Sequence, residues 1–282
     1  MTSVDIHPHI ISTDEKTYPH SPRFGIQSDW SKERPTSVDE LIAAMDDAGV
    51  AKAVVVHSST CYGYDNSYVI DSVAKHTDRL AAVGSVDLLA GDAVAQINAL
   101  VKGGMTGLRI FLGGSTADFD ASALADQRSF PAWELAAKLG LSICIQVDPP
   151  GLPEVVSMAK RFSNVKIILD HLARPDVTDG PPYKNAEGLF ALAPLPNIYL
   201  KLTPRIMTDI KKGKATPATF FPKLVDAFGA KRLAWGSNFP NSPGTLAEIL
   251  ATAKDRLSSV SAEDQSWIFG RTALTLYPAL TT

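Results

Sequence analysis

Cysteine is scarce in this chain: Cys61 and Cys144 are the only two in 282 residues. They form no Cys-x-x-Cys pair and no disulfide framework, so a reduced, cytoplasmic setting is expected. Long apolar runs are missing too. The longest are strand-length, short of the ~20 residues that cross a bilayer, so no membrane association is expected. The first residues lack a basic stretch followed by an apolar core, so no secretory leader is expected. There is no Lys/Arg-rich run, and the net charge is −3, which argues against a nucleic-acid partner. No Gly-x-Gly-x-x-Gly follows the first strand-like segment, which counts against a doubly wound nucleotide-binding sheet.

What is present is an unbroken alternation of strand-like and helix-like segments. The first strand opens at Val4 and ends in His7-Pro8-His9. Continuous apolar runs, the mark of strands buried on both faces, then recur at 51–57, 80–88, 107–112, 141–147, 165–172, 198–203 and 232–238. Between and after them, helices are expected at 37–49, 67–76, 91–102, 129–139, 152–162, 185–193, 216–228, 245–257 and 261–269. Eight βα units in a chain of this length point to a (β/α)8 TIM barrel, a fold that commonly needs about 250 residues. It is expected to be a single domain over 1–282. A long polar loop over 11–35 follows strand one and carries Tyr18, His20, Arg23, Trp30 and Arg34. Loops of that length inside compact domains are usually functional, so a lid or pocket wall competes here with an inert surface flap.

In such barrels the chemistry sits at the C-terminal ends of the strands. Residues two apart on a strand share a face, so His7 and His9 are expected to project together. Strand two ends in His57-Ser58, and strand four carries Arg109. Strand five ends in Gln146 and Asp148. Strand six ends in Asp170-His171 with Arg174 beyond, strand seven carries Lys201 with Arg205 beyond, and strand eight ends in Ser237-Asn238. Crowding so many polar groups costs free energy unless they are paired or used. Arg109 and Lys201 fit either substrate carboxylate binding or internal ion pairs. Asp170, next to an inward His171, should point away and serve a structural salt bridge. Cys144 and Met158 read as core.

Several blocks together resemble the amidohydrolase superfamily, on the branch of 2-pyrone-4,6-dicarboxylate lactonase and sugar lactonases. They are His7-Pro8-His9, Tyr62-Gly63-Tyr64-Asp65-Asn66, Gly107-Leu108-Arg109, Leu169 through Pro175, Lys201-Leu202-Thr203 and Trp235 through Pro240. The resemblance implies a distorted barrel that opens lactones of acidic or sugar-acid type. It assigns His7, His9 and His171 to polarising the carbonyl, alone or around one divalent metal, zinc or manganese. It assigns Arg109 to the substrate carboxylate; Tyr62, Arg205, Lys201 and Gln146 are further candidates for binding the anionic substrate. Partners beyond that small molecule are limited to further copies of the chain, as a homo-oligomer.

The sequence departs from the family pattern at one place. Asn238 stands where the resemblance calls for a general-base aspartate. A carboxamide does not take up a proton at neutral pH. Either this is a deliberate substitution that traps substrate, which the intact surroundings favour, or the chemistry has shifted. Two rivals follow: a metal-dependent decarboxylase or hydratase of the same superfamily, and a barrel that binds an anion without turning it over.

Overall fold

The structure is a computed structural model that describes residues 2–113 and 120–281. Eight strands run parallel in sequential order: β1 Ser3–Asp5, β2 Val50–Val56, β3 Leu80–Ser85, β4 Gly107–Phe111, β5 Ser142–Gln146, β6 Ile167–Leu169, β7 Ile198–Leu202 and β8 Leu233–Trp235. The Ile6 N–H donates to the Trp235 carbonyl at 3.2 Å and the His9 N–H to the Phe239 carbonyl at 2.7 Å, so the last strand meets the first. The result is the expected (β/α)8 barrel.

The strands are apolar throughout because both faces are covered. Val54, Val56, Ala81, Val83, Cys144, Ile168 and Ala234 form an inner layer. Ala53, Val55, Ile143, Ile145, Leu169 and Leu200 face the surrounding helices. From below, the inner layer is closed by Ala273, Leu276, Tyr277 and Leu280 of the C-terminal segment. Met158 lies in the outer core, as expected.

Local signals set the helix ends. Val38–Ala48 opens on a reciprocal Ser37–Glu40 capping box and stops at Gly49, whose left-handed backbone suits glycine. Leu246–Arg256 starts the same way from Thr245 and Glu248. The last expected helix runs on through Trp267–Arg271 into Thr272–Leu276. Short helices not foreseen lie in the loops, among them Asp29–Glu33 and Pro204–Asp209.

Strands three, six and eight end three residues earlier than their apolar runs suggest. For six and eight the physical reason is backbone hand. His171, Leu172, Ala173 and Arg174 all take positive φ, from 55° to 58°, and Asn238 has φ 52°. Such conformations cost L-residues roughly 1–2 kcal/mol each and cannot continue a ladder.

Barrel closure also rests on a buried carboxylate. Asp5 Oδ1 accepts from the His7 N–H at 2.9 Å and the Ser237 N–H at 2.8 Å. Burial pushes its carboxyl up to about 6, against those hydrogen bonds and Lys201, which lower it. Between about 4 and 6 the native state therefore holds a proton that the unfolded chain has released. The Asp5 contribution to stability should fall as pH rises across that window, by roughly 3 kcal/mol for a two-unit shift. The buried neutral imidazoles push total stability the other way over the same range, so Asp5 is read by difference. In urea melts the stability of the parent relative to Asp5→Asn should fall from pH 4 to pH 7, and a difference that does not change with pH would refute the assignment.

Candidate active site

The strand ends bring three imidazoles together at the mouth of the barrel. The His7 ring lies 5.0 Å from the His9 ring and 4.9 Å from the His171 ring, centroid to centroid. Alternation alone would not do this. Ile168 faces the barrel interior, so Asp170, two residues on, faces inward as well. The expected outward direction of Asp170 is thus corrected: the ladder ends at Leu169, and the left-handed turn at His171 swings the imidazole inward.

Asp170 is fully buried and does carry the structural ion pairs expected of it. Lys201 Nζ is 2.9 Å from its Oδ1 and Arg109 Nε 3.4 Å from its Oδ2. Burial alone would raise this carboxyl, but Lys201, His7 and Arg109 hold it well below the usual carboxylate range. Arg109 also donates to the His57 carbonyl at 3.0 Å and to Gln146 Oε1 at 2.7 Å. Its guanidinium is occupied by protein acceptors.

Each imidazole of the cluster has its Nδ1 engaged, and the partner sets the ring's chemistry. Lys201 Nζ, which can only donate, lies 3.2 Å from His7 Nδ1. Asp170 Oδ1, which can only accept, lies 3.5 Å from the same nitrogen, and His7 Nε2 is a buried atom with no partner. His9 Nδ1 donates to the Val56 carbonyl at 2.7 Å, which leaves its Nε2 with a lone pair. His171 Nδ1 meets Thr203 Oγ1 at 2.8 Å. Burial is the main reason that all three stay neutral: His9 and His171 fall to about 3, and His7 well below its ordinary value.

Two joined cavities open above the cluster. The inner one is about 120 Å³. His9, His171, Arg109 and Gln146 form its base, and Ser58, Thr60, Asn238 and Asn241 add hydroxyls and amides. Ser28 and Trp30, from the loop after β1, close one side, with Trp30 5.2 Å from the His9 ring. The loop over 11–35 is thus a pocket wall. It is pinned by Arg23 to the Phe111 carbonyl at 2.7 Å and by Arg34 to the Asn241 and Ser242 carbonyls. The outer cavity, about 400 Å³, shares His171, Arg174, Asn238 and Asn241 and adds Arg205.

Not every expected residue reaches these cavities: His7 is fully buried and lines neither. Tyr62 is buried beneath the loop, its hydroxyl accepting from the Ser12 N–H at 2.7 Å. Lys201 lies under His7 rather than in the open site, and His57 is held between Ser85 Oγ and the Asp65 carbonyl. Asn238 lines both cavities; its Nδ2 donates to Ser242 Oγ at 3.1 Å, and its Oδ1 is buried without a partner.

A model of the family described as Amidohydrolase matches residues 4–279. The chain belongs to the amidohydrolase family. This amidohydrolase is a hydrolase, and its relatives include lactone-opening enzymes. It is 29% identical over 252 residues to L-fucono-1,5-lactonase of Burkholderia ambifaria, covering 85% of this chain and 80% of that one. Its fold matches a candidate 2-pyrone-4,6-dicarboxylic acid hydrolase of Pseudomonas putida with a TM-score of 0.79 at 19% identity, over 99% of this chain and 98% of that one. It also matches an amidohydrolase of Burkholderia multivorans with bound zinc, with a TM-score of 0.78 at 20% identity, over 99% of each chain.

A divalent ion at this amidohydrolase's own imidazoles can be tested on its donor set. Among the described residues no group of three or more His, Cys, Asp or Glu side chains is disposed to hold a metal. The Lys201 ammonium already supplies positive charge beside the His7 ring, and Asp170 is taken by Lys201 and Arg109. The residues present do not fit a resident metal at His7, His9 and His171.

Residues that sequence reading left unassigned complete the site: Ser28, Thr60, Phe111, Asn241 and Ser242. Asn241 and Ser242 directly follow the Trp235-to-Pro240 block. Their place just beyond a strand-end motif was the one signal that could have marked them.

Proposed function

We propose that this protein opens a lactone ring by hydrolysis, on a substrate of acidic or sugar-acid type. The observation that carries the reading is the meeting of three neutral imidazoles, with His9 and His171 lining one small polar cavity and His7 buried against both. Lactone hydrolysis needs a donor for the oxygen that gains charge and an acceptor for the proton that water loses. His171, which lines the cavity, supplies the first from Nε2–H, with Thr203 Oγ1 donating to its Nδ1 and His7 and the Lys201 ammonium behind it. His9 Nε2, a weak base held near 3, supplies the second and passes that proton to the ring oxygen as the C–O bond breaks. Asn238 Oδ1 aligns the water without removing its proton. Hydroxyls and amides of the inner cavity suit a ring bearing hydroxyl groups. Arg174, which pairs with Asp148 at 3.0 Å and keeps a buried Nε unpartnered, and the half-exposed Arg205, 3.5 Å from Asp209, suit an anionic substituent in the outer cavity. Cys61 and Cys144, both unpaired and buried, support a reducing cytoplasmic location.

A panel of sugar-acid and dicarboxylate lactones, followed by proton release, tests this. Turnover of at least one, abolished by His9→Asn, is the expected result. Asn238 also favours a second reading, a barrel that binds such an anion without turning it over. Tight binding with no turnover in the parent and in Asn238→Asp would establish that one. The donor set bears on metal dependence: exhaustive treatment with EDTA should leave lactone opening unchanged. Activity lost to chelation and restored by zinc or manganese would overturn that expectation.

A further inference from the structure

We propose that Ser242 is a positioning residue that aims the Asn238 oxygen into the cavity, and that Arg34 holds Ser242 in place. The inference rests on the reading in which Asn238 aligns the attacking water.

Asn238 sits at the end of β8 with φ 52°, a conformation that asparagine tolerates but does not enforce. Something must fix it. Ser242 grips it twice. The Ser242 N–H donates to the Asn238 carbonyl at 2.8 Å, closing the turn over 238–242. The Asn238 Nδ2 donates to Ser242 Oγ at 3.1 Å. With its nitrogen committed to Ser242, the amide presents its oxygen, and that oxygen is the buried atom left without a protein partner. An amide turned the other way would offer two donors to the cavity and repel the protons of water.

Ser242 is itself held from across the barrel mouth. Arg34, in the loop that follows β1, donates from one guanidinium nitrogen to the Ser242 carbonyl at 3.2 Å and from the other to the Asn241 carbonyl at 2.6 Å. A guanidinium fork matches two adjacent carbonyls in a way that lysine cannot. The order of command runs from Arg34 to Ser242 to Asn238. No sequence motif links these residues.

The test pairs kinetics with a readout that needs no turnover. The side-chain amide signals of Asn238 are assigned in 15N–1H spectra by their absence in Asn238→Asp, and their exchange with water is measured. In Ser242→Ala, exchange should quicken about tenfold while kcat on the best lactone falls about tenfold and KM stays near the parent value. Ser242→Thr, which keeps the hydroxyl, should restore both, and Arg34→Met should shift both in the direction of Ser242→Ala. Unchanged exchange in Ser242→Ala overturns the proposal, as does quickened exchange with unchanged kcat. If no form of the protein opens any lactone yet exchange responds as stated, the positioning stands and the lactonase reading falls.

Discussion

Asn238→Asp should raise the rate of lactone opening by about a hundredfold or more, the usual contribution of a well-placed general base. The inner cavity has no carboxylate among its lining residues, and its imidazoles are poor proton acceptors because burial depresses them to about 3. An aspartate at 238 would stand where both cavities meet. It would be held ionised by the Arg109 and Arg174 guanidiniums, which line the same cavity. The backbone presents no obstacle, because aspartate tolerates positive φ much as asparagine does. Ser242 could turn its hydroxyl from acceptor to donor to hold the new side chain. The comparison to make is kcat/KM for the parent, Asn238→Asp and Asn238→Ala on the same lactone. Equal rates for all three would remove residue 238 from the mechanism.

The largest effect on stability should come from Lys201→Met. Lys201 and Asp170 are both fully buried, and their charges lie 2.9 Å apart. Removing one partner of a buried pair leaves a charge uncompensated, at a cost of about 3–5 kcal/mol. That is a large part of the roughly 5–15 kcal/mol that holds a typical protein folded, and it should lower the melting temperature by about 10 °C. The sign with pH follows from Asp170. Its folded value lies well below 3.8, so in the parent its contribution is fully present above about pH 4 and is lost as pH falls through the folded value. In Lys201→Met the carboxyl loses its main partner and takes up a proton more readily, so the deficit should shrink at acidic pH. Adding Asp170→Asn to Lys201→Met should recover part of the loss at pH 7. Calorimetry that found the double variant less stable than Lys201→Met would overturn the pairing.

Much of the barrel was legible because strands buried on both faces must be apolar throughout. Runs such as 51–57 and 141–147 have no other economical reading, and Gly49 marks a true helix stop. The meeting of His7, His9 and His171 was legible from their strand-end positions. Its basis was not. Nothing in the letters Asp170-His171 says that the ladder stops at Leu169 and that four left-handed residues follow, so the side on which Asp170 falls could not be read. Arg109 and Lys201 announced charge inside the barrel, but whether protein or substrate answers that charge depends on Asp170 lying between them. Tyr62 belongs to a family-like block, and only the packed loop shows its hydroxyl spent on Ser12. Trp30 and Arg34 were visible as unusual residues in a long loop. The targets of Arg34, the Asn241 and Ser242 carbonyls, lie some two hundred positions away.

That separation bears on how the protein comes into being. Asp5 bridges to Ser237 over 232 residues, and Arg34 to Ser242 over 208. A nascent chain leaving the ribosome can assemble its early βα units one after another as they emerge. It cannot finish the pocket, because Arg34 of the first loop has nothing to clasp until the final strand has been synthesised. Contacts this distant pay their ordering entropy late, so the catalytic mouth should be the last part of the molecule to take shape and the part that an interrupted translation product never acquires.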